Sequence, residues 1–323
     1  MMMMIRMITS SGKPKLPIGG APWKFRGERL DCITVIRRAS YGAALLLVAA
    51  QGHVVGASPR QFTSGINLVE VYASVTDERG NPITGLSQGD FELHEDGVLQ
   101  TVSNFAAGNV PLSAALAIDR SFSVAGTRLS LAKSAAQAFL GELRSSDEAM
   151  IIAVGSQVEV VAPLSTDRSV QRDAVNRLDA FGTTGLYDAI IDAIDDVQPA
   201  KGRRALIILS DGNDRYSDAS ADDALERARR SDVMVFPVSI GTARPALFAE
   251  LATRTGGRSF HDRDGSALAE TLRGIARELR QQYLLGYTPL RPPLAGSNEW
   301  RSISVTLKRP GANVRARDGY LVK

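Results

Sequence analysis

Two largely apolar runs that each end in an aspartate constrain the fold of this chain more than any other feature. Residues 112–118 lead into Asp119, and residues 206–210 lead into Asp211. An apolar run of this length, bounded by turn-forming residues, is typical of a strand buried on both faces, as in a parallel sheet. The two aspartates would then lie at the carboxyl ends of strands, where open α/β sheets bind their ligands.

Further strand-like runs alternate with segments of helical periodicity between residues 109 and 282. Residues 149–154 and 233–240 are typical of buried strands, and residues 158–163 would form a hairpin partner at the sheet edge. Helices are predicted over residues 127–143, 167–178, 186–197, 220–230, 245–255 and 266–282. This alternation predicts an α/β fold with a doubly wound, mainly parallel sheet. Pro237 indicates a strand end or a bulge, because proline cannot donate to the ladder.

Short segments with alternating hydrophobicity flank this region on both sides. They cover residues 67–76, 90–97 and 98–105 before it, and residues 283–287, 300–307 and 313–317 after it. Because two or three isolated strands are only marginally stable, we expect the two groups to pair in one β-sandwich. The predicted organisation is a β module at 58–108, an α/β domain at 109–282, and strands at 283–323 that complete the module.

Hydroxyl and carboxylate side chains collect at the predicted strand ends. Ser121 and Ser123 follow Asp119 at two-residue spacing, and Thr184 precedes the helical segment that starts at residue 186. Taken singly, each is better explained as a loop or helix-cap residue. Taken as an ordered set with Asp211, they form a cluster of hard oxygen donors, which Mg²⁺ and similar ions prefer. The two carboxylates would repel each other when close, and a divalent cation would remove this repulsion.

The ordered set Asp119-x-Ser121-x-Ser123, then Thr184, then Asp211 resembles the metal-ion-dependent adhesion site of the von Willebrand factor A domain. The resemblance covers residues 111–282. It implies that these five residues bind Mg²⁺, with Mn²⁺ or Ca²⁺ as alternatives, and that the two serines ligate directly. It also implies an open coordination position that a carboxylate of a protein partner completes.

Two further features bear on this resemblance. Phe122 stands where the family often has a small residue, which leaves the oxygen donors intact but would crowd the rim of the site. Residues 75–86 (VTDERGNPITGL) and 90–97 (DFELHEDG) are similar to the small β module that precedes the A domain in a bacterial family of secreted proteins.

Residues 1–57 have the features of a leader. Residues 1–27 show no periodicity, which indicates a disordered stretch or an over-extended gene start. Arg37 and Arg38 precede the apolar residues 43–50, and small residues follow at 55–57, so a secretory signal peptide is predicted around residues 35–57. Its apolar core is shorter than the ~20 residues of a membrane span. We therefore expect a secreted or periplasmic protein without a stable span after cleavage; a buried helix of a cytosolic domain is the alternative.

The basic character of the chain belongs to this leader. The net charge is +3, from 38 Lys/Arg and 35 Asp/Glu, but residues 1–57 hold eight of the basic and two of the acidic residues. Without them, 30 basic and 33 acidic residues remain, a net charge of −3, which argues against a nucleic-acid partner. The single cysteine, Cys32, also lies in the leader, so no disulfide is expected in the mature chain.

The sequence does not favour an enzyme. Beyond the leader there are two histidines, His94 and His261, and neither has a nucleophile or a zinc-ligand partner at useful spacing. We predict a metal-dependent protein-binding or adhesion module. The alternatives are a metal-stabilised structural domain and, with less support, a hydrolase that uses a metal-activated water.

Asp214 is predicted to stabilise a turn. Arg120 could bind a ligand anion or be solvated, and the sequence does not decide between these roles.

Overall fold

The computed structural model describes residues 68–108, 110–292 and 298–322. These residues belong to one compact unit, Thr63–Lys323. The predicted leader and signal peptide, residues 1–57, lie outside the described residues. In the described ranges, no helix combines the length and the apolarity that crossing a membrane requires.

The described part of the chain contains fourteen strands and six α-helices. The strands are β1 (Val69–Asp77), β2 (Phe91–Glu95), β3 (Val98–Gln100), β4 (Val102–Ala107), β5 (Leu112–Asp119), β6 (Glu148–Val154), β7 (Val158–Ser165), β8 (Arg203–Ser210), β9 (Met234–Ile240), β10 (Phe260–Asp262), β11 (Tyr283–Tyr287), β12 (Trp300–Leu307), β13 (Ala312–Arg315) and β14 (Gly319–Leu321). The helices are α1 (Thr127–Glu142), α2 (Arg168–Asn176), α3 (Leu186–Val197), α4 (Ala221–Arg229), α5 (Ala246–Thr255) and α6 (Leu268–Arg280).

A six-stranded sheet forms the centre of the fold, in the order β10-β9-β8-β5-β6-β7. Its neighbouring strands are parallel except for β7, which lies antiparallel to β6 at the edge of the sheet. Strand β5 lies in the interior of the sheet, and all eight of its residues are buried. The α/β fold with a mainly parallel sheet, predicted from the apolar runs, is confirmed.

Helices cover both faces of this sheet because successive side chains of a strand point to opposite sides. Ala114, Leu116 and Ile118 of β5 belong to one core, together with residues of α1, α2 and α6. Ala115 and Ala117 belong to a second core, on the side of α3, α4 and α5. A strand buried on both sides in this way has no solvent-facing position, which explains why its residues 114–118 are all apolar.

Two four-stranded sheets combine strands from before and after the α/β region. Their strand orders are β13-β1-β11-β4 and β14-β12-β2-β3. β1 pairs with β11, and β2 pairs with β12, both antiparallel. The two sheets share one apolar core, to which Val71, Leu93 and Leu285 contribute. Each flanking sheet therefore contains strands from both sides of the α/β region, and neither group of strands forms a sheet alone.

The structure differs from the sequence prediction at two strands. The single strand predicted at 98–105 is divided into β3 and β4, and Thr101 between them carries the chain from one flanking sheet to the other. Pro237 neither ends β9 nor causes a bulge, because it pairs in register with Ile208. Strand β10 joins the outer side of β9 only from Val238 onward. Pro237 therefore has no strand on its outer side, which explains why β9 tolerates a residue that cannot donate a backbone hydrogen bond there.

Polar contacts attach the flanking sheets to the α/β region. The Arg315 guanidinium of β13 donates to the Glu278 carboxylate of α6 (2.6 Å) and to the carbonyl of Gly257 (2.9 Å). The Ser74 hydroxyl of β1 donates to the same carboxylate (3.1 Å) and accepts from the Gln282 amide (2.9 Å). The polar groups at the junction between the flanking sheets and the α/β region are thus hydrogen-bonded to one another.

Candidate metal centre

Asp119 is the last residue of β5, and only 1 % of its surface is exposed. Its Oδ1 accepts a hydrogen bond from the backbone N–H of Ser121 (2.9 Å), and its Oδ2 accepts one from the hydroxyl of Ser210 (2.7 Å). Ser121 Oγ lies 3.1 Å from Ser123 Oγ. The first loop therefore brings a carboxylate and two hydroxyls together at the end of an interior strand.

The second loop, which precedes α3, is attached to the first by backbone hydrogen bonds. Phe181 N–H donates to the carbonyl of Arg120 (2.7 Å), and Phe122 N–H donates to the carbonyl of Gly182 (3.0 Å). Gly182 has a φ of +73°, and a Cβ there would overlap a neighbouring hydroxyl, so this close approach needs glycine. Thr184 follows two residues later and is buried.

Asp211 begins the third loop, directly after β8. Because β8 pairs in parallel with β5, Asp211 and Asp119 lie at the same edge of the sheet. Asp211 is buried, and its Oδ1 accepts from the N–H of Asn213 (3.0 Å). The carbonyl of Thr184 accepts from the N–H of Tyr216 (3.1 Å), which connects the second loop to the third. The three loops that bear the five candidate ligands are thus joined to one another.

Burial raises the pKa of Asp119, and the negative charge of Asp211 also raises it, whereas hydrogen bonds from Ser121 and Ser210 lower it. Two neighbouring carboxylates inside a protein are unfavourable unless a positive charge lies between or beside them. A divalent cation would provide that charge. The donor set of two carboxylates and three hydroxyls fits a hard cation, because such ions select oxygen ligands.

In the part of the chain that the structure describes, no group of three or more His, Cys, Asp or Glu side chains is placed to hold a metal ion. The centre at the strand ends has only two such residues, Asp119 and Asp211, because its other candidate ligands are hydroxyls. This composition differs from the histidine and cysteine sets that bind structural zinc.

A hydrogen-bond network formed by Asp188, Asp214 and Ser217, here called the clasp, holds the third loop against the start of α3. Asp214 Oδ1 accepts from the N–H of Leu186 (2.7 Å) and from the hydroxyl of Ser217 (2.6 Å). Ser217 Oγ accepts from the N–H of Tyr187 (3.0 Å), and Asp188 accepts from the N–H groups of residues 218 and 219 (both 3.0 Å). Helix α3 follows a glycine without a capping side chain, so the clasp supplies its cap.

Sequence reasoning missed Ser210 and the clasp. Ser210 is fully buried and bonds Asp119, and its position beside Asp211 was the available signal. Asp214 does stabilise a turn, with Ser217, but it also caps a helix that begins far away in sequence. The structure gives Arg120 two contacts. It forms an ion pair with Glu159 (3.0 Å), and its guanidinium lies 5.4 Å from the centroid of the Phe181 ring.

Comparison with known proteins agrees with this architecture. Residues 114–213 match the family model of the von Willebrand factor type A domain. A von Willebrand factor type A structure from Catenulispora acidiphila aligns with a TM-score of 0.50 and 16% identity, over 80% of this chain and 75% of that chain. Proximal thread matrix protein 1 from the mussel byssus, with a zinc-occupied MIDAS motif, aligns with a TM-score of 0.50 and 13% identity, over 58% of this chain and 50% of that chain. BatB from Bacteroides thetaiotaomicron aligns with a TM-score of 0.44 and 18% identity, over 52% of this chain and 97% of that chain. No curated protein matches the chain.

The fold is that of a doubly wound α/β domain whose three loops converge at the carboxyl edge of the sheet. The matched residues include most of β5, all of β8 and the helices between them. The chain therefore carries a von Willebrand factor type A domain, to which two further β-sheets are added.

Proposed function

We propose that this domain binds a protein partner through a divalent cation held by Asp119, Ser121, Ser123, Thr184 and Asp211. A carboxylate of the partner would complete the coordination of the cation. The observation that supports the proposal is that the three loops bearing these residues are joined by backbone hydrogen bonds. The zinc-occupied MIDAS motif of the mussel protein supports a divalent cation in this fold. The oxygen donors favour Mg²⁺, with Mn²⁺ or Ca²⁺ as alternatives.

Within this proposal the side chains have different roles. Asp119 already accepts one hydrogen bond on each carboxylate oxygen, so its position is fixed before any cation arrives. The cation supplies positive charge between the buried carboxylates and the partner's carboxylate. Ser123 is exposed while Ser121 is buried, so the centre faces solvent on the side of the first loop. An accessible side favours recognition over a metal that only stabilises the fold.

Two wider features belong to the same proposal. We take the strands on both sides of the A domain as one β module, because they share a core and are bonded to the domain through Arg315 and Glu278. We also place the protein outside the cytoplasm, in the periplasm or secreted, on the basis of the signal-peptide pattern at residues 35–57. A partner on a surface or in the periplasm would then be within reach.

Calorimetric titration of the full chain with Mg²⁺, Mn²⁺ and Ca²⁺, in a buffer containing acetate, tests the centre. Acetate serves as a minimal carboxylate that can occupy the open position. We expect binding by the unchanged protein and loss of binding in Asp119→Asn, which keeps the shape of the side chain but removes its charge. Asp167→Asn is the matched control, because Asp167 is an exposed helix cap outside the three loops. Equal binding by the Asp119→Asn variant and the unchanged protein would overturn the proposal.

A further inference from the structure

Three exposed aromatic side chains, here called the aromatic rim, lie on the three loops of the metal centre. Phe122, Phe181 and Tyr216 are exposed by 67%, 55% and 61%. Among the described residues, the other exposed large hydrophobic side chains are aliphatic, and none belongs to these loops: Leu68, Val98, Leu99, Val160, Val170 and Leu290. Exposed aromatic surface concentrated at one place is typical of an interaction site.

Backbone hydrogen bonds place each member of the rim next to the candidate ligands. Phe122 lies between Ser121 and Ser123, and its N–H donates to the second loop. Phe181 donates its N–H to the first loop in return. Tyr216 donates its N–H to the carbonyl of Thr184 (3.1 Å). One aromatic residue per loop therefore borders the place where the partner's carboxylate would enter.

The charges around the rim favour an acidic partner. Arg128 is exposed and donates to the carbonyl of Ser123 (3.2 Å), and Arg215 is exposed next to Tyr216. Two acidic groups near the rim are already engaged, because Glu159 of β7 pairs with Arg120 and Asp214 caps α3, whereas Asp218 of the third loop is exposed. Two accessible guanidinium groups beside a bound cation would attract a negatively charged segment and select its orientation.

We propose that the aromatic rim is a second recognition element, which binds apolar side chains next to the metal-bound acid of an acidic protein segment. This rests on the proposed function, since the cation fixes the position of the acid. Burying an exposed aromatic ring against an apolar side chain contributes strongly to affinity, and aromatic residues near the centre of an interface are frequent hot spots. The rim would thus select among the many carboxylates that the cation alone could bind.

Selection from a displayed library of random linear peptides tests this proposal on the full chain. The library is panned on the Mn²⁺-loaded protein, and bound peptides are eluted with EDTA. We expect the enriched peptides to carry Asp or Glu next to an aromatic or branched aliphatic residue. The affinity of one enriched peptide is then measured for Phe122→Ala, Phe181→Ala and Tyr216→Ala, with Leu99→Ala as the matched control from an exposed position on β3.

Each rim substitution should weaken peptide binding by about tenfold, while Mn²⁺ affinity and the Leu99→Ala control stay unchanged. Enriched peptides with an acid but no apolar neighbour would overturn the role of the rim and leave the metal-bridge function standing. Equal peptide affinity for the rim variants and for Leu99→Ala would overturn it in the same way. If EDTA elutes no enriched peptide, the rim proposal and the metal-bridge function both fail.

Discussion

Replacing Asp214 by alanine should destabilise the protein through helix α3, although Asp214 lies in a different loop. The substitution removes the acceptor for Leu186 N–H at the helix start and leaves the Ser217 hydroxyl without its 2.6 Å partner. Loss of a helix cap typically costs about 1 kcal/mol, and a negative charge at a helix amino terminus contributes about 0.3–1 kcal/mol. With the hydroxyl contact included, we expect a loss of about 2 kcal/mol in the free energy of unfolding.

Chemical denaturation followed by circular dichroism, in EDTA, measures this loss without a contribution from bound metal. In a unit of this size a loss of about 2 kcal/mol also lowers the melting temperature by about 4–8 °C. Asp214→Asn keeps one acceptor oxygen but removes the charge, so its effect should be about half as large. Asp218→Ala is the matched control, because Asp218 is an exposed aspartate of the same loop. The reasoning is refuted if Asp214→Ala is no more destabilising than Asp218→Ala.

The same substitution should also weaken metal binding, because the clasp aligns the loop of Thr184 with the loop of Asp211. Removing a group that orients a metal ligand through a hydrogen bond typically weakens metal binding by about 10–100-fold. We expect the Mg²⁺ dissociation constant of Asp214→Ala to rise within that range, measured by calorimetry at a temperature where the variant is folded. A double variant with Asp188→Ala should be less than additive in stability, because both residues belong to one network. Strict additivity would show that the two act independently.

Four other substitutions test the structure separately. Ser210→Ala removes the hydroxyl that orients Asp119 and should weaken Mg²⁺ binding about tenfold in calorimetry; an unchanged affinity would contradict this role. Arg315→Ala leaves the Glu278 carboxylate without its guanidinium partner at 2.6 Å. The free energy of unfolding, measured by denaturant titration, should fall by about 1–3 kcal/mol. Unchanged stability would be evidence against a fixed attachment of the β module. Gly182→Ala should destabilise the protein by about 1–3 kcal/mol, because Gly182 has a positive φ. Gly274→Ala should stabilise it by about 0.5–1 kcal/mol, because Gly274 lies in a helix and a Cβ there meets nothing within 4 Å. Melting curves that shift in the same direction for both variants would contradict the steric argument.

The central sheet was predictable because burial on both faces leaves a simple signal in the sequence. The helix of residues 186–197 has the bounds that its periodicity predicts, and β8 contains the predicted run of residues 206–210 but begins earlier, at Arg203. The change of sheet at Thr101 left no such signal. Alternation continues through residues 98–105, and neither glycine nor proline marks the point where the chain changes sheets. Local patterns specify strands, but they do not specify which sheet a strand joins.

The positions of Asp119 and Asp211 at strand ends could be predicted from the sequence, whereas the groups that hold these side chains could not. Asp214 and Leu186 are 28 residues apart, and their contact depends on which strands are neighbours in the sheet. The Arg120 guanidinium pairs with Glu159, 39 residues away on the edge strand, a contact that the sequence does not indicate. Such contacts require the tertiary arrangement, which the residue pattern of a single loop does not contain.

The arrangement of the loops separates metal binding from partner selection. Backbone hydrogen bonds and the clasp join the three loops through groups other than the candidate ligand side chains. A cation would therefore find a preorganised set of oxygens, and little of its binding energy would be used to order the loops. The rings of the aromatic rim lie outside this network and remain exposed, whereas the backbone N–H groups of the same three residues belong to it. Substitutions at Ser210 or in the clasp should therefore change metal affinity first, and substitutions in the rim should change partner affinity alone.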